Sequence, residues 1–260
     1  MTLAFRSLGL TLDGRNVLHD LDFCLPAGAW AFLVAPPGAG KTVLLRLAAG
    51  EIAPSAGRVE RSGAAIFAHH AMPLDETMSS QAIVAQAMRG AGGKNHAGPS
   101  FGLRPLRAPE DENSGRTPDR ADADERAAAL LQTLGLETYL NHEPFRLSRG
   151  HRARLVIARA LAARPAVLCL DDPFSPMDRR ARLMTADALA RAAGEDGLTI
   201  LMASNDPRDV LRYADVIAIL SQGPAATITK IIAHVPLPEA GDDELAANAL
   251  HGLLWDALNA

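Results

Sequence analysis

Between Ala35 and Thr42 the chain reads Ala-Pro-Pro-Gly-Ala-Gly-Lys-Thr, small residues that end in an amine and a hydroxyl. Backbone N–H groups of such a loop can wrap phosphate oxygens, with Lys41 reaching the outer phosphates and the Thr42 hydroxyl ligating Mg²⁺. Only Ala35 departs from the pattern G-x-x-x-x-G-K-[ST], and alanine is the smallest replacement for the missing glycine. Ala35, Pro36, Pro37, Gly38, Ala39, Gly40, Lys41, Thr42 and Val43 are therefore expected to hold a nucleotide. A second candidate lies far along the chain, where the apolar residues 167–170 run into Asp171-Asp172. A carboxylate at the end of a buried strand beside such a loop can hold the water shell of Mg²⁺, a role for Asp171. Asp172, next in line, would orient or deprotonate an attacking water. Taken alone, paired acids after a strand are as well read as a solvated turn.

The elements around these residues are those the chemistry needs. The apolar run Trp30–Val34 reads as a buried strand leading into the loop, and 42–49 carries apolar residues at helical spacing after it. The first thirty residues alternate apolar and polar around Asp13-Gly14, which predicts an antiparallel hairpin. Strands are expected at 64–67, 167–170, 198–203, 216–220 and 228–235. Helices are expected at 79–88, 122–134, 148–163, 179–193, 207–213 and, amphipathic, 244–258. Strands that alternate with helices and are almost continuously apolar predict a mostly parallel sheet covered on both faces, an α/β fold. Residues 89–121, rich in Gly, Pro and Asn without periodicity, read as a flexible insertion.

Composition narrows the function. At 260 residues the chain can bury one large core and a smaller subdomain. A formal charge of −4 and an aromatic content of 4% give neither an electrostatic nor a stacking basis for nucleic acid, which is not expected as a partner. Cys24 and Cys169 each sit in an apolar run and are expected to be reduced core residues. No apolar stretch approaches membrane-spanning length and no charged-then-apolar leader opens the sequence, which points to the cytosol.

Three further landmarks complete a pattern: Leu147-Ser148-Arg149-Gly150-His151 opening a helix, the run Arg154-Leu155-Val156-Ile157-Ala158-Arg159-Ala160-Leu161, and Ser175-Pro176-Met177-Asp178. With the loop and the acidic strand end, their order and spacing resemble the ATP-binding subunits of ABC transporters over about residues 3 to 235. The tail, 228–238 with Val-Pro-Leu-Pro, resembles the nitrate/sulfonate/taurine importer branch. The resemblance implies a P-loop NTPase (ABC-type) core with an N-terminal antiparallel β subdomain and an inserted helical subdomain. The implied domain spans 1–225, with a RecA-like core at about 1–74 and 164–225, helices at about 75–163 and the insertion 89–121. Residues 226–260 form a C-terminal extension. It also implies ATP and Mg²⁺ as ligands and a second ATP-binding subunit as partner, identical or not. Ser148, Arg149, Gly150 and His151 would complete the partner's nucleotide site, with Asp178 at the interface. Integral-membrane permease subunits and a solute-binding protein would belong to the system, with this chain peripheral on the inner face of the cell membrane.

Departures from the family concentrate on the chemistry. Asp172 stands where the family has a longer glutamate, and a displacement of about 1 Å in a water-positioning group can cost on the order of a hundredfold in rate. Asn205 replaces a histidine that contacts the γ-phosphate, and Ala68, followed by His69 and His70, replaces a Mg²⁺-sensing glutamine. Leu12 stands where an aromatic stacks on adenine and offers apolar contact only. Pro37 removes a loop N–H, while Arg149 and His151 replace signature residues. Hydrolysis weaker than binding is the expectation, with a regulatory subunit paired to an intact one as the alternative.

Overall fold

A computed structural model of the chain describes residues 1–90, 120–204, 206–221, 225–233 and Gly252. The expected hairpin is present. Strand β1 (Leu3–Leu12) pairs antiparallel with β2 (Arg15–Leu25), the Asp13-Gly14 turn joins them, and β4 (Ala56–Arg61) adds to the other edge of β1. Leu3, Phe5, Leu8, Leu10, Leu18, Leu21, Phe23 and Leu25 are all buried, so one face of this small sheet carries the core. Cys24 corrects the expectation for it: the alternation that turns Phe23 and Leu25 inward leaves Cys24 exposed, whereas Cys169 is buried. Strand β4 was not foreseen, because Ala-Gly-Arg-Val-Glu-Arg has no apolar alternation; pairing with β1 alone makes it a strand.

The second sheet holds six strands in the order β5 (Ala65–His69), β6 (Val167–Asp171), β7 (Thr199–Ala203), β3 (Trp30–Val34), β8 (Val216–Leu220) and β9 (Ile228–Ala233). Strands β3, β6, β7 and β8 run parallel, and β9 returns antiparallel to β8. The central strands β3 and β7 are buried at every position, as their continuous apolar sequence requires. Register fixes the site. Leu33 pairs with Ala203 and Ala203 with Asp171, so β3, β7 and β6 end in line at one edge of the sheet. The loop after β3 and the acid ending β6 thus emerge on either side of β7 at the carboxyl ends of parallel strands, the place where open α/β sheets bind ligands.

Helix α1 (Lys41–Ala49) follows the loop and packs on β6 and β7 through Leu44, Leu45, Leu47 and Ala48. Its last carbonyls are satisfied from an unexpected quarter. Arg61, at the end of β4, donates from Nε to Ala48 O at 2.6 Å and from Nη2 to Leu47 O at 2.9 Å. Burial pushes the Arg61 pKa down, and these two acceptors offset the cost of the buried charge. Arg61→Ala is expected to cost about 1.5–3 kcal/mol, the usual range for a charged hydrogen-bond donor, seen as a lower urea midpoint at unchanged slope.

Compact units divide the described chain in two: Met1–Phe67, Ala166–Asp172 and Ala193 onward, and Ala68–Pro165 with Pro173–Ala192. In the second, α2 (Ser80–Gly90), α3 (Arg120–Thr133) and α4 (Arg149–Ala162) pack together through Ile83, Val84, Ala127, Leu131, Leu155 and Ala158. Two single-turn 3₁₀ helices, Glu137–Tyr139 and Pro144–Arg146, link α3 to α4. Two edges of the expected insertion 89–121 are helical, since Arg89 and Gly90 end α2 and Arg120 and Ala121 begin α3. Helix α5 (Arg179–Asp196) and α6 (Pro207–Tyr213) agree with the sequence reading. The expected helix 244–258 lies outside the described residues, Gly252 excepted. No helix among the described residues is long and apolar enough to cross a membrane.

Candidate phosphate-binding site

Ala35 and Pro36 are buried at the top of β3, Pro37 and Gly38 are exposed, and Ala39 turns back inward. Gly40 is the N-cap of α1 at φ 85°, a left-handed conformation that L side chains rarely adopt. No side chain caps α1, so the first N–H groups of the helix, those of Lys41, Thr42 and Val43 among them, lack intrahelical acceptors and face the loop. An anion would complete them. The Lys41 ammonium folds over the loop and donates to Ala35 O at 2.6 Å and Pro36 O at 3.3 Å. Burial pushes its pKa down, while the carboxylates of Asp171 and Asp172 hold it up.

Thr42 and Asp171, 129 positions apart, meet directly: Thr42 Oγ1 donates to Asp171 Oδ2 at 2.5 Å. A hydroxyl and one carboxylate, both hard oxygen donors at the edge of a phosphate loop, match how Mg²⁺ is bound, by one or two carboxylates and substrate oxygens. The donor set fits that ion. Asp172 is exposed, with φ 44°, and its N–H donates to Ala203 O at 3.0 Å, which extends the β6–β7 ladder one step past Asp171. Leu12 is 44% exposed at the end of β1. Asn205 lies outside the described residues.

The second group of expected residues gathers at the start of α4. Ser148 is its N-cap, and its hydroxyl accepts from the His151 N–H at 3.2 Å. Arg149 is exposed. Gly150 has no room for a side chain, since an added Cβ would stand 2.8 Å from Pro176 O. The His151 ring lies 4.2 Å from that of Tyr139, and burial, then Arg154, push its pKa down against the pull of Asp178. Asp178 itself caps α5, accepting the Ala181 N–H at 2.8 Å. Arg154, a buried residue named in the sequence only as part of a family-like run and given no role there, donates to Leu134 O at 2.7 Å and Gly135 O at 3.0 Å and so ties α4 to the end of α3. Its signal in the sequence was an arginine on the apolar face of a helix.

Known proteins share this fold. Solved structures share the fold, with TM-scores of 0.71 to a dimeric ATP-binding cassette in a post-hydrolysis state with ADP and Pi, and 0.72 to an ATP-binding subunit of an ABC transporter. Identities are 19% and 20%; the first likeness covers 90% of this chain and the second all of it, and both cover 100% of the other chain. An Fe(3+) ions import ATP-binding protein of Pseudomonas fluorescens is 31% identical over 233 residues, 85% of this chain and 59% of that protein. A protein proposed to be the ATP-binding protein for 2-aminoethylphosphonate import in Salmonella choleraesuis is 33% identical over 218 residues, 84% of this chain and 55% of that one. The chain therefore spans under two thirds of the length of these relatives. The family model for the ABC transporter matches residues 18–175, which include the phosphate loop, the α4 start and the Asp171-Asp172 strand end. With loop, acidic strand end and capped α4 all in place on that fold, the chain belongs to the ABC transporter family.

Proposed function

We propose that this chain is the ATP-binding subunit of an importer for a small ion or small organic anion, binding Mg-ATP on residues 35–43. The observation that carries the reading is the Thr42–Asp171 hydrogen bond at 2.5 Å, beside a lysine that leans on its own loop carbonyls. Lys41 leaves Ala35 O and Pro36 O to meet the outer phosphates, a charge-assisted contact stronger than the ones it gives up. The N–H groups of the α1 start take the remaining oxygens. Thr42 and Asp171 hold Mg²⁺, which supplies neutralisation of the phosphate charge. Asp172 orients the attacking water, and Asn205 contacts the γ-phosphate. Ser148, Arg149, Gly150 and His151 face the nucleotide of a second ATP-binding subunit, Asp178 lies at that interface, and Leu12 covers the base.

Relatives named as iron and 2-aminoethylphosphonate import proteins support import. The tail resemblance favours the nitrate/sulfonate/taurine branch within it. The partners are membrane permease subunits, a second ATP-binding subunit and a solute-binding protein, and the chain sits on the inner face of the cell membrane. The domain divisions at about 74, 163 and 225 belong to the same reading. Turnover is slower than binding allows, because Asp172 is one methylene short. Ala68, a buried methyl with no polar group, favours the second reading of a regulatory subunit paired with an intact one.

Mg-ATP turnover by the chain with its copurifying proteins, run beside Lys41→Ala, tests the reading. Turnover that vanishes with Lys41→Ala, in a preparation with no second kind of ATP-binding subunit, supports a working ATPase. Turnover that survives, with such a subunit present, supports the regulatory reading. Asp172→Glu combined with Asn205→His is expected to raise turnover about tenfold or more, given the cost of misplacing a catalytic group. An unchanged rate would show that these two positions do not limit it.

A further inference from the structure

Resting on the reading of the α4 start as part of a partner's nucleotide site, we infer that Arg152 and Glu76 are positioning residues for it: their ion pair couples the extended segment 71–77 to the start of that helix. Successive helix positions point about 100° apart, and the first residues of α4 use this to meet different neighbours. Gly150 lies against Pro176 O, the His151 ring against that of Tyr139, and Arg154 donates to Leu134 O and Gly135 O. Arg152 donates in a fork to Glu76, Nη1 to Oε2 at 3.2 Å and Nη2 to Oε1 at 2.8 Å. Within 148–154 only Ser148 and Arg149 are exposed. The orientation in which they meet a ligand is therefore set by the anchors that follow them.

Those anchors differ in kind. A backbone carbonyl pressed on a glycine, a ring against a ring and a buried guanidinium on backbone oxygens belong to packed parts of the chain. The fourth joins two side chains that water reaches, Arg152 at 27% and Glu76 at 45% exposure. An exposed ion pair contributes little to stability, but the paired bonds of a guanidinium on a carboxylate hold a direction. Arg152 thus fixes where the helix start points at small energetic cost, and it is the anchor most readily changed.

Glu76 sits on a segment laid along the same helix. From Ala71 to Asp75 exposed and buried residues alternate, with Met72 and Leu74 inward, the period of an extended chain. Arg159 donates to Pro73 O at 3.0 Å. Arg152 and Arg159 lie two helical turns apart, roughly 10 Å, and an extended chain covers about the same distance from Pro73 to Glu76. Segment and helix therefore run side by side in opposite directions, fastened at Arg159 and at Arg152. Asp75 then accepts from the Thr77 N–H at 2.9 Å and from Thr77 Oγ1 at 2.6 Å, which turns the chain toward α2. Arg159 holds the segment to the body of α4, whereas a shift at Glu76 is carried through Arg152 to the turn that bears Ser148 and Arg149.

A double-mutant cycle on the full chain tests the coupling, with Arg152→Ala, Glu76→Ala, both together, and the exchanged pair Arg152→Glu with Glu76→Arg. Calorimetry gives the Mg-ATP affinity of the chain's own site. Sedimentation with Mg²⁺ and a non-hydrolysable ATP analogue gives nucleotide-driven association, with the ATP-binding subunit that copurifies or, where none does, with a second copy. Either single change is expected to weaken association about fivefold, within the range by which changes along a coupled network act. Both together should cost no more than one alone, and the exchanged pair should recover most of the loss. Own-site affinity should stay within about twofold and Tm within about 2 °C, as befits an exposed ion pair. Additive losses, an exchanged pair no better than the single changes, or association indifferent to both, would overturn the coupling while leaving the nucleotide site intact. A matching fall in own-site affinity or Tm would also overturn it, by reducing the pair to a structural support. No Mg-ATP binding, or no nucleotide-driven association of the unaltered chain, would overturn the site reading and the proposal with it.

Discussion

Lys41→Ala is expected to weaken Mg-ATP binding by about 100-fold or more. Truncating one member of a largely desolvated charge pair costs about 2–5 kcal/mol, because the phosphate charge is left without its partner. Two observations place Lys41 in that range. Burial already lowers its pKa, so much of the desolvation cost of its charge is met before ligand arrives. Its present acceptors are two neutral carbonyls of its own loop, weaker partners than a triphosphate. Calorimetric titration of both chains checks this directly. Equal affinities would move the nucleotide away from residues 35–43. The fold should survive the change, since the Lys41 side chain carries no part of the buried apolar cluster.

Gly57→Ala is expected to destabilise the protein by about 2–5 kcal/mol, combining a left-handed alanine with an overlap that cannot relax. Gly57 has φ 69°, and an added Cβ would fall on the carbonyl oxygens of Arg6 and Ser7 in β1. Both are backbone atoms of a paired strand, and Ser7 is itself at φ 44° in a bulged stretch, so neither side can give way. For a chain of this size the loss corresponds to a fall in Tm of roughly 5–15 °C. Gly57→Asn separates the two causes. Asparagine tolerates left-handed backbone, so nearly equal damage from both variants would assign the cost to the overlap, and a mild asparagine variant would assign it to backbone strain.

The candidate phosphate site was legible in part because its signals are local. A phosphate loop is a run of eight residues whose types are dictated by backbone approach to phosphate, and Trp30–Val34 and 42–49 carried the periods of a strand and a helix around it. The strand–loop–helix appears with those boundaries to within a residue. The helical spacing of 148–163 likewise emerged as α4, with Ser148 capping it. Polar residues whose roles come from neighbours distant in sequence gave no such signal. Arg61 reads as one charge among several in Ala-Gly-Arg-Val-Glu-Arg, and only the arrival of α1 at the end of β4 makes it the group that closes that helix. Cys24 failed for the converse reason: its neighbours Phe23 and Leu25 are apolar, but a strand buries alternate positions, and the register put Cys24 on the outer side.

Loop composition, the acidic strand end and the order of the motifs are properties of the chain read in one dimension, and they sufficed to point to phosphate binding and to the family. Tertiary structure decided which residues meet. The alignment of Leu33, Ala203 and Asp171 across three parallel strands brought Asp171 to Thr42 from 129 residues away. An extra residue in β2 brought Val17 as well as Leu18 up to Gly40. Strand register and bulges depend on the pairing of whole sheets, where a slip of one residue reverses every face, and no short window of sequence encodes that.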